Sequence, residues 1–188
     1  MKKVVLLGDS IRQLGYGKKV AEILGTECEV WQPEDNCRFA KYTLRPIFDF
    51  QENIKGADVI HWNNGLWDVC DILGDGPFSS PEEYMQNMLR IADILLKWGK
   101  TVIFATTTPT HPDYEYAAYD RTIAYNAMLT AELKKRGVII NDLFSLMDEH
   151  RLDGICEDLI HLSDKGIELC ANQVAKTIRE ALAKNTEV

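Results

Sequence analysis

Three residues of this 188-residue chain have the types and positions that nucleophilic catalysis needs. Ser10 follows Gly8 and Asp9, directly after the apolar run Val4 to Leu7. A serine hydroxyl attacks a carbonyl only when a base takes its proton. The chain has four histidines, and His161 in "EDLIHLSDKG" has an acid, Asp158, three residues before it. In a tight turn a carboxylate at that spacing reaches the ring Nδ1–H, sets the tautomer and stabilises the imidazolium. Each half also has a plainer reading: Ser10 suits a helix N-cap, and Asp158 with His161 suits a solvated pair beside a helix start. His61 lies inside an apolar run and reads as a core residue, while His111 and His150 read as solvated. Arg12 is placed to aim a guanidinium at an anionic substrate or an oxyanion, or to pair with a surface acid. Asp9 reads as a support for the Ser10 turn. Trp62, Trp67 and Phe78 are candidate walls of an acyl or sugar pocket, or core.

Positioning these residues requires elements that bring the two ends of the chain together. Short apolar runs at 3–8, 28–32, 57–62, 101–108 and 137–142 read as strands. They are continuous rather than alternating, as strands covered by helices on both faces are. Between and after them, residues 16–25, 80–99, 120–137 and 163–184 carry apolar residues at helical spacing. Glycine ends the first three, and Ser163 is a plausible N-cap for the last. Strand–helix alternation of this kind builds a parallel sheet with right-handed crossovers and helices on both sides. Two loops, 33–45 and 65–80, are long and leave the carboxyl ends of strands, where open α/β sheets place their ligands.

"GDS" at 8–10 together with "DLIH" at 158–161 resembles the SGNH, or GDSL, hydrolase family of esterases and lipases. Tyr125-Asn126 and "VIINDLFSLM" (138–147) also look like that family's approach to its last block. The resemblance spans essentially the whole chain. It implies a flavodoxin-like, three-layer α/β/α fold with five parallel strands in order 2-1-3-4-5, Ser10 as nucleophile, His161 as base and Asp158 as acid, with no cofactor and no metal. In that order strand five lies three strand spacings from strand one, roughly 14 Å, so the segment 143–161 must reach back to bring His161 to Ser10. The family's second block supplies an oxyanion-binding glycine; here "EDNCRFAKYTLR" (34–45) has Cys37 or Arg38 in its place. The third block, Gly-x-Asn-Asp, is matched by "GLWD" (65–68), with Trp67 where asparagine belongs. Asn63 and Asn64 stand just before it, and Asn64, next to Gly65, is the slightly favoured substitute donor. Tryptophan in that slot also resembles the PC-esterase branch, which implies a small acyl group such as acetyl on a carbohydrate or similar alcohol.

Composition narrows the partners. Hydrophobic residues make up 46% and charged residues 27%, with a net charge of −8. That is ordinary for one globular domain, here expected over 1–188. It disfavours nucleic acid and anionic membrane as partners and leaves a small-molecule acyl ester. The first apolar run is too short for a signal peptide. Five scattered cysteines (28, 37, 70, 156 and 170) signal neither a disulfide framework nor a zinc site, so a cytoplasmic location is expected. "RQLGYGKK" (12–19) departs from a phosphate-binding loop, with Arg12 where the first glycine belongs and Lys19 where Ser or Thr belongs. Acyl transfer to another acceptor and a non-catalytic flavodoxin-like binding module are the competing readings.

Overall fold

In a computed structural model describing residues 1–99 and 101–184, the apolar runs pair as five parallel strands. They are β1 (Lys2–Gly8), β2 (Cys28–Trp31), β3 (Val59–Asn63), β4 (Thr101–Ala105) and β5 (Ile139–Asn141). Their order is β2-β1-β3-β4-β5, as the resemblance implied. The helices are α1 (Gly17–Leu24), α2 (Ala40–Asp49), α3 (Gln51–Ile54), α4 (Leu66–Val69), α5 (Pro81–Trp98), α6 (Tyr119–Lys135), α7 (Leu143–Asp148) and α8 (Asp164–Lys184).

Successive strand residues point to opposite faces, and both faces are buried. Val5, Leu7, Ile60, Trp62, Val102 and Phe104 pack with Ile91 and Leu95 of α5 and Leu129 of α6. Val4, Leu6, Val59, Ile103 and Ala105 pack with Val20 of α1 and Val174 and Ile178 of α8. Each of the larger aliphatic and aromatic side chains contributes about 1.5–3 kcal/mol on burial, and a register slip of one residue would exchange the two cores.

Local signals set the long helices. Ser80 and Glu83 form a capping box ahead of α5, with Pro81 in its first turn. Ser163 Oγ accepts the Gly166 N–H at 3.3 Å at the start of α8. Two expectations fail for non-local reasons. Half of the expected loop 33–45 belongs to α2, whose first N–H, on Ala40, donates to the Asp68 carboxylate at 3.0 Å. The run 101–108 leaves the sheet after Ala105, because Thr107 exchanges two 2.9 Å hydrogen bonds with the Asn126 side chain on α6.

The strand ends line up at one edge. Gly8 is level with Asn63, Asn63 with Ala105 and Ala105 with Asn141. The candidate site is built on that edge.

Candidate active site

The chain turns sharply where β1 ends. The Asp9 carbonyl accepts the N–H groups of Arg12 and Gln13, at 3.2 and 3.0 Å. Asp9 Oδ1 accepts from Ile11 N at 3.0 Å and from Asn63 Nδ2 at 2.7 Å. A widened helical turn, Ile11–Tyr16, follows and kinks at Gly15. Gly8 permits the close approach: a Cβ there would lie 1.9 Å from Asn63 Oδ1. Burial pushes the Asp9 carboxyl up to about 6, although Asn63, the Ile11 N–H and the charges of Arg12 and His161 oppose it. Ser10 is 7% exposed and stands at the tip of this turn.

The Asp158–His161 turn is built locally. Asp158 Oδ1 accepts from Ile160 N at 3.0 Å and His161 N at 2.9 Å, while Oδ2 lies 2.6 Å from His161 Nδ1. The His161 carbonyl accepts Cys156 N at 2.7 Å, and Ile155 bridges Leu162. Leu159 takes a left-handed backbone conformation, φ 68°, at the tip of the turn. Partial burial pushes the Asp158 carboxyl up, but the two N–H groups and the His161 ring outweigh it and hold it below its ordinary value. The carboxyl is therefore ionised and fixes Nδ1 as the protonated nitrogen. The segment after β5 does reach back. Ser10 and His161 line the same cavity, of about 320 Å³.

That cavity draws walls from five separate stretches. Leu14 comes from the turn after Ser10, Asn36 from the loop after β2, and Leu66, Trp67, Cys70 and Ile72 from α4 and the loop beyond it. Tyr114 and Ile160 complete it. Both long loops leaving β2 and β3 thus contribute. Asn36, Leu14, Tyr114 and Ile160 were not anticipated, because no local pattern marks residues that meet only through the fold.

The expected oxyanion and substrate-binding residues lie elsewhere. Arg12 is buried, with Nη1 donating to Pro33 O at 2.7 Å and Nη2 to Asp35 O at 2.6 Å and Gly8 O at 3.0 Å. It clamps the loop after β2 to the tip of β1 and faces neither substrate nor a surface acid. The Cys37 N–H donates to Gly8 O at 3.0 Å, and burial pushes its thiol up to about 11. Asn63 spends its amide on Asp9 and on the Tyr16 hydroxyl, 2.8 Å from its Oδ1. Asn64 is fully buried. Its Nδ2 donates to Arg38 O at 2.8 Å, and its Oδ1 lies 2.9 Å from the Thr43 hydroxyl. Gly65, with φ 134°, lets the backbone pass where a Cβ would be 2.1 Å from Thr107 Oγ1. These are corrections: four polar candidates hold loops together, and the glycine gives passage. Asn36 differs from them, because its Oδ1 accepts Arg38 N at 2.8 Å while its Nδ2 has no partner among the described residues.

Trp67 lines the cavity, Trp62 is core against Phe104, and Phe78 packs on Phe39. His61 is fully buried and burial pushes it down to about 3, so it is neutral. Only its Nε2 is paired, 3.2 Å from Asn141 Nδ2. His111 is half-buried rather than solvated, its Nδ1 accepting Asp113 N at 3.2 Å. Among the described residues no cluster of side chains is arranged to hold a metal ion, and no helix is long and apolar enough to cross a membrane.

No family model matches the sequence, and no curated protein does. Solved structures do. A lipase/acylhydrolase from Enterococcus faecalis is 18% identical, with a TM-score of 0.77 over 96% of each chain. A GDSL-like lipase from Bacteroides thetaiotaomicron VPI-5482 is 16% identical, with a TM-score of 0.73 over 96% of this chain and 89% of that one. An acetylxylan esterase from Geobacillus stearothermophilus is 14% identical, with a TM-score of 0.77 over 93% of each. Two catalytic mutants of that esterase replace an aspartate and a histidine three positions further on. At this level of identity the likeness carries the fold.

Proposed function

We propose that this chain, which has the SGNH/GDSL hydrolase fold, is a carboxylic ester hydrolase that works through an acyl-enzyme on Ser10. One observation carries the reading: Ser10 shares a cavity with His161, whose Nδ1 is held 2.6 Å from Asp158. The Asp-x-x-His spacing agrees with the spacing of the two replaced residues in the acetylxylan esterase mutants.

In this reading Ser10 Oγ adds to the ester carbonyl while His161 Nε2 takes its proton. Asp158 holds the Nδ1–H and stabilises the imidazolium. His161 then gives its proton to the leaving alkoxide oxygen as the ester C–O bond breaks. The alcohol departs and the acyl group stays on Ser10. A water, deprotonated by the same imidazole, attacks the acyl carbon, and Ser10 leaves with the proton that His161 returns. The oxyanion of each tetrahedral intermediate takes the Ser10 N–H and the Asn36 side-chain amide as donors. Asn36 stands in for Asn63 and Asn64, which do not line the cavity and whose amides hold Asp9 and Arg38. The scheme uses no cofactor.

Acetylated xylo-oligosaccharides are one substrate to test, since acetylxylan esterases share the fold. The direct test is hydrolysis of 4-nitrophenyl acetate and butyrate. Wild type turns over both, and Ser10→Ala and His161→Ala, each folded to the wild-type Tm, do not. Wild-type rates no higher than those of Ser10→Ala contradict the reading.

A further inference from the structure

The cavity at Ser10 differs in character from what a small acyl group on a carbohydrate needs. Its walls are apolar: Leu14, Leu66, Trp67, Cys70, Ile72 and Ile160. Tyr114, which also lines it, adds an aromatic ring and one hydroxyl. Apart from Ser10 and His161, that leaves the Tyr114 hydroxyl and the Asn36 amide as the polar groups of the lining. A sugar seated there would give up the hydration of several hydroxyls with almost nothing to replace it, at about 1–3 kcal/mol for each. An acetyl group would leave most of the space unused. A dry cavity of about 150 Å³ takes one benzene ring, so about 320 Å³ takes a chain of roughly eight carbons with room at the mouth.

The surface outside the mouth continues the pattern. Leu14 is 65% exposed and Ile72 50% exposed, although both also line the cavity. Ile72 is shared with a second hollow walled by Leu73, Pro77 and Phe78. Leu73 and Phe78 are exposed as well. Contiguous exposed apolar side chains at the rim of a binding site are a recurring mark of an apolar ligand.

We propose that this cavity is an acyl-chain site, and that the preferred substrate is an ester of a medium-length fatty acid, about six to ten carbons, with its alcohol side toward solvent. The proposal rests on Ser10 as the nucleophile. The apolar lining and its continuation at Leu14 and Ile72 are what select the chain.

The test is kcat/KM for 4-nitrophenyl esters from acetate to dodecanoate. Burial of each added methylene should raise it about fourfold, giving octanoate at least about 10²-fold over acetate before the series levels off. Ile72→Asp and Leu14→Asp, both at exposed positions, should each cut the octanoate-to-acetate ratio at least tenfold. The ratio is read within one variant, so a loss of folded protein does not imitate the effect. As a second measurement, free octanoate should inhibit wild-type turnover at concentrations at least tenfold below those needed with acetate. Ser10-dependent turnover that is best on acetate, or flat with chain length, overturns the acyl-chain site and leaves the hydrolase standing. An unchanged ratio in both variants also overturns it. Failure on esters of every length, in wild type as in Ser10→Ala, overturns the hydrolase itself.

Discussion

The two halves of the proposed catalytic apparatus are built in opposite ways. The serine side is buried and held by contacts from far along the chain: Asn63 on Asp9, Arg12 on Pro33 and Asp35, and Cys37 on Gly8. The histidine side is a surface turn, with Asp158 half exposed and its bonds reaching only two or three residues away. Asn36 apart, polar side chains beside Ser10 are thus committed to structure, whereas those beside His161 are committed to the imidazole. A substitution on the first side should read out as stability and one on the second as rate.

Asp158→Asn should give the largest effect on rate. It keeps an acceptor for the Ile160 and His161 N–H groups but favours the wrong tautomer, so kcat should fall about 10²–10⁴-fold. Tm should move by less than about 2 °C, since the site is exposed. A large fall in Tm with kcat preserved would erase the contrast.

Arg12→Met tests the other side. Three backbone carbonyls lose a buried donor, each worth about 1–3 kcal/mol, so calorimetry should show a loss of about 3 kcal/mol or more, near 10 °C in Tm. Arg12→Lys should not rescue it, because one ammonium cannot span Pro33, Asp35 and Gly8. An Arg12→Met protein with native Tm and lost activity would return the guanidinium to the substrate.

The buried acid Asp9 adds a pH signature. Its pKa is about 6 in the fold against 3.8 for the free side chain. Between those values the folded state holds more protons than the unfolded one, so this group's contribution falls as pH rises and is constant above about 6. The span is on the order of 3 kcal/mol. Asp9→Asn keeps the Oδ1 bonds and removes the titration. Wild type should therefore lose stability relative to the variant from pH 4 to 6 in urea titrations, and a constant difference would contradict the assignment.

The smallest effect on rate is expected at Asn64. Its amide is committed to Arg38 and Thr43, so Asn64→Ala should change kcat less than tenfold while costing about 1–3 kcal/mol of stability. A fall of 10² or more in kcat at unchanged KM would make it an oxyanion donor after all.

The same contrast explains what could be read from the residues alone. Asp158 and His161 were legible because three positions of sequence hold the whole interaction. The strands were legible because burial on two faces leaves continuous apolar runs. Arg12 was not, since its partners are carbonyls some twenty residues away that look like any others in sequence. Nor was Asn36, because its proposed role depends on what the fold takes from Asn63, Asn64 and Cys37. The α2 helix was missed for the same reason: its cap, Asp68, comes from another loop.

The central claim is that the buried serine is the nucleophile and the surface turn its base. Intact-protein mass spectrometry after a brief exposure to a fluorophosphonate tests it most directly. One label per chain is expected in wild type, on the peptide carrying Ser10, forming at least about 10²-fold more slowly in His161→Ala and not at all in Ser10→Ala. A label on another residue, or one that persists in Ser10→Ala, would contradict it.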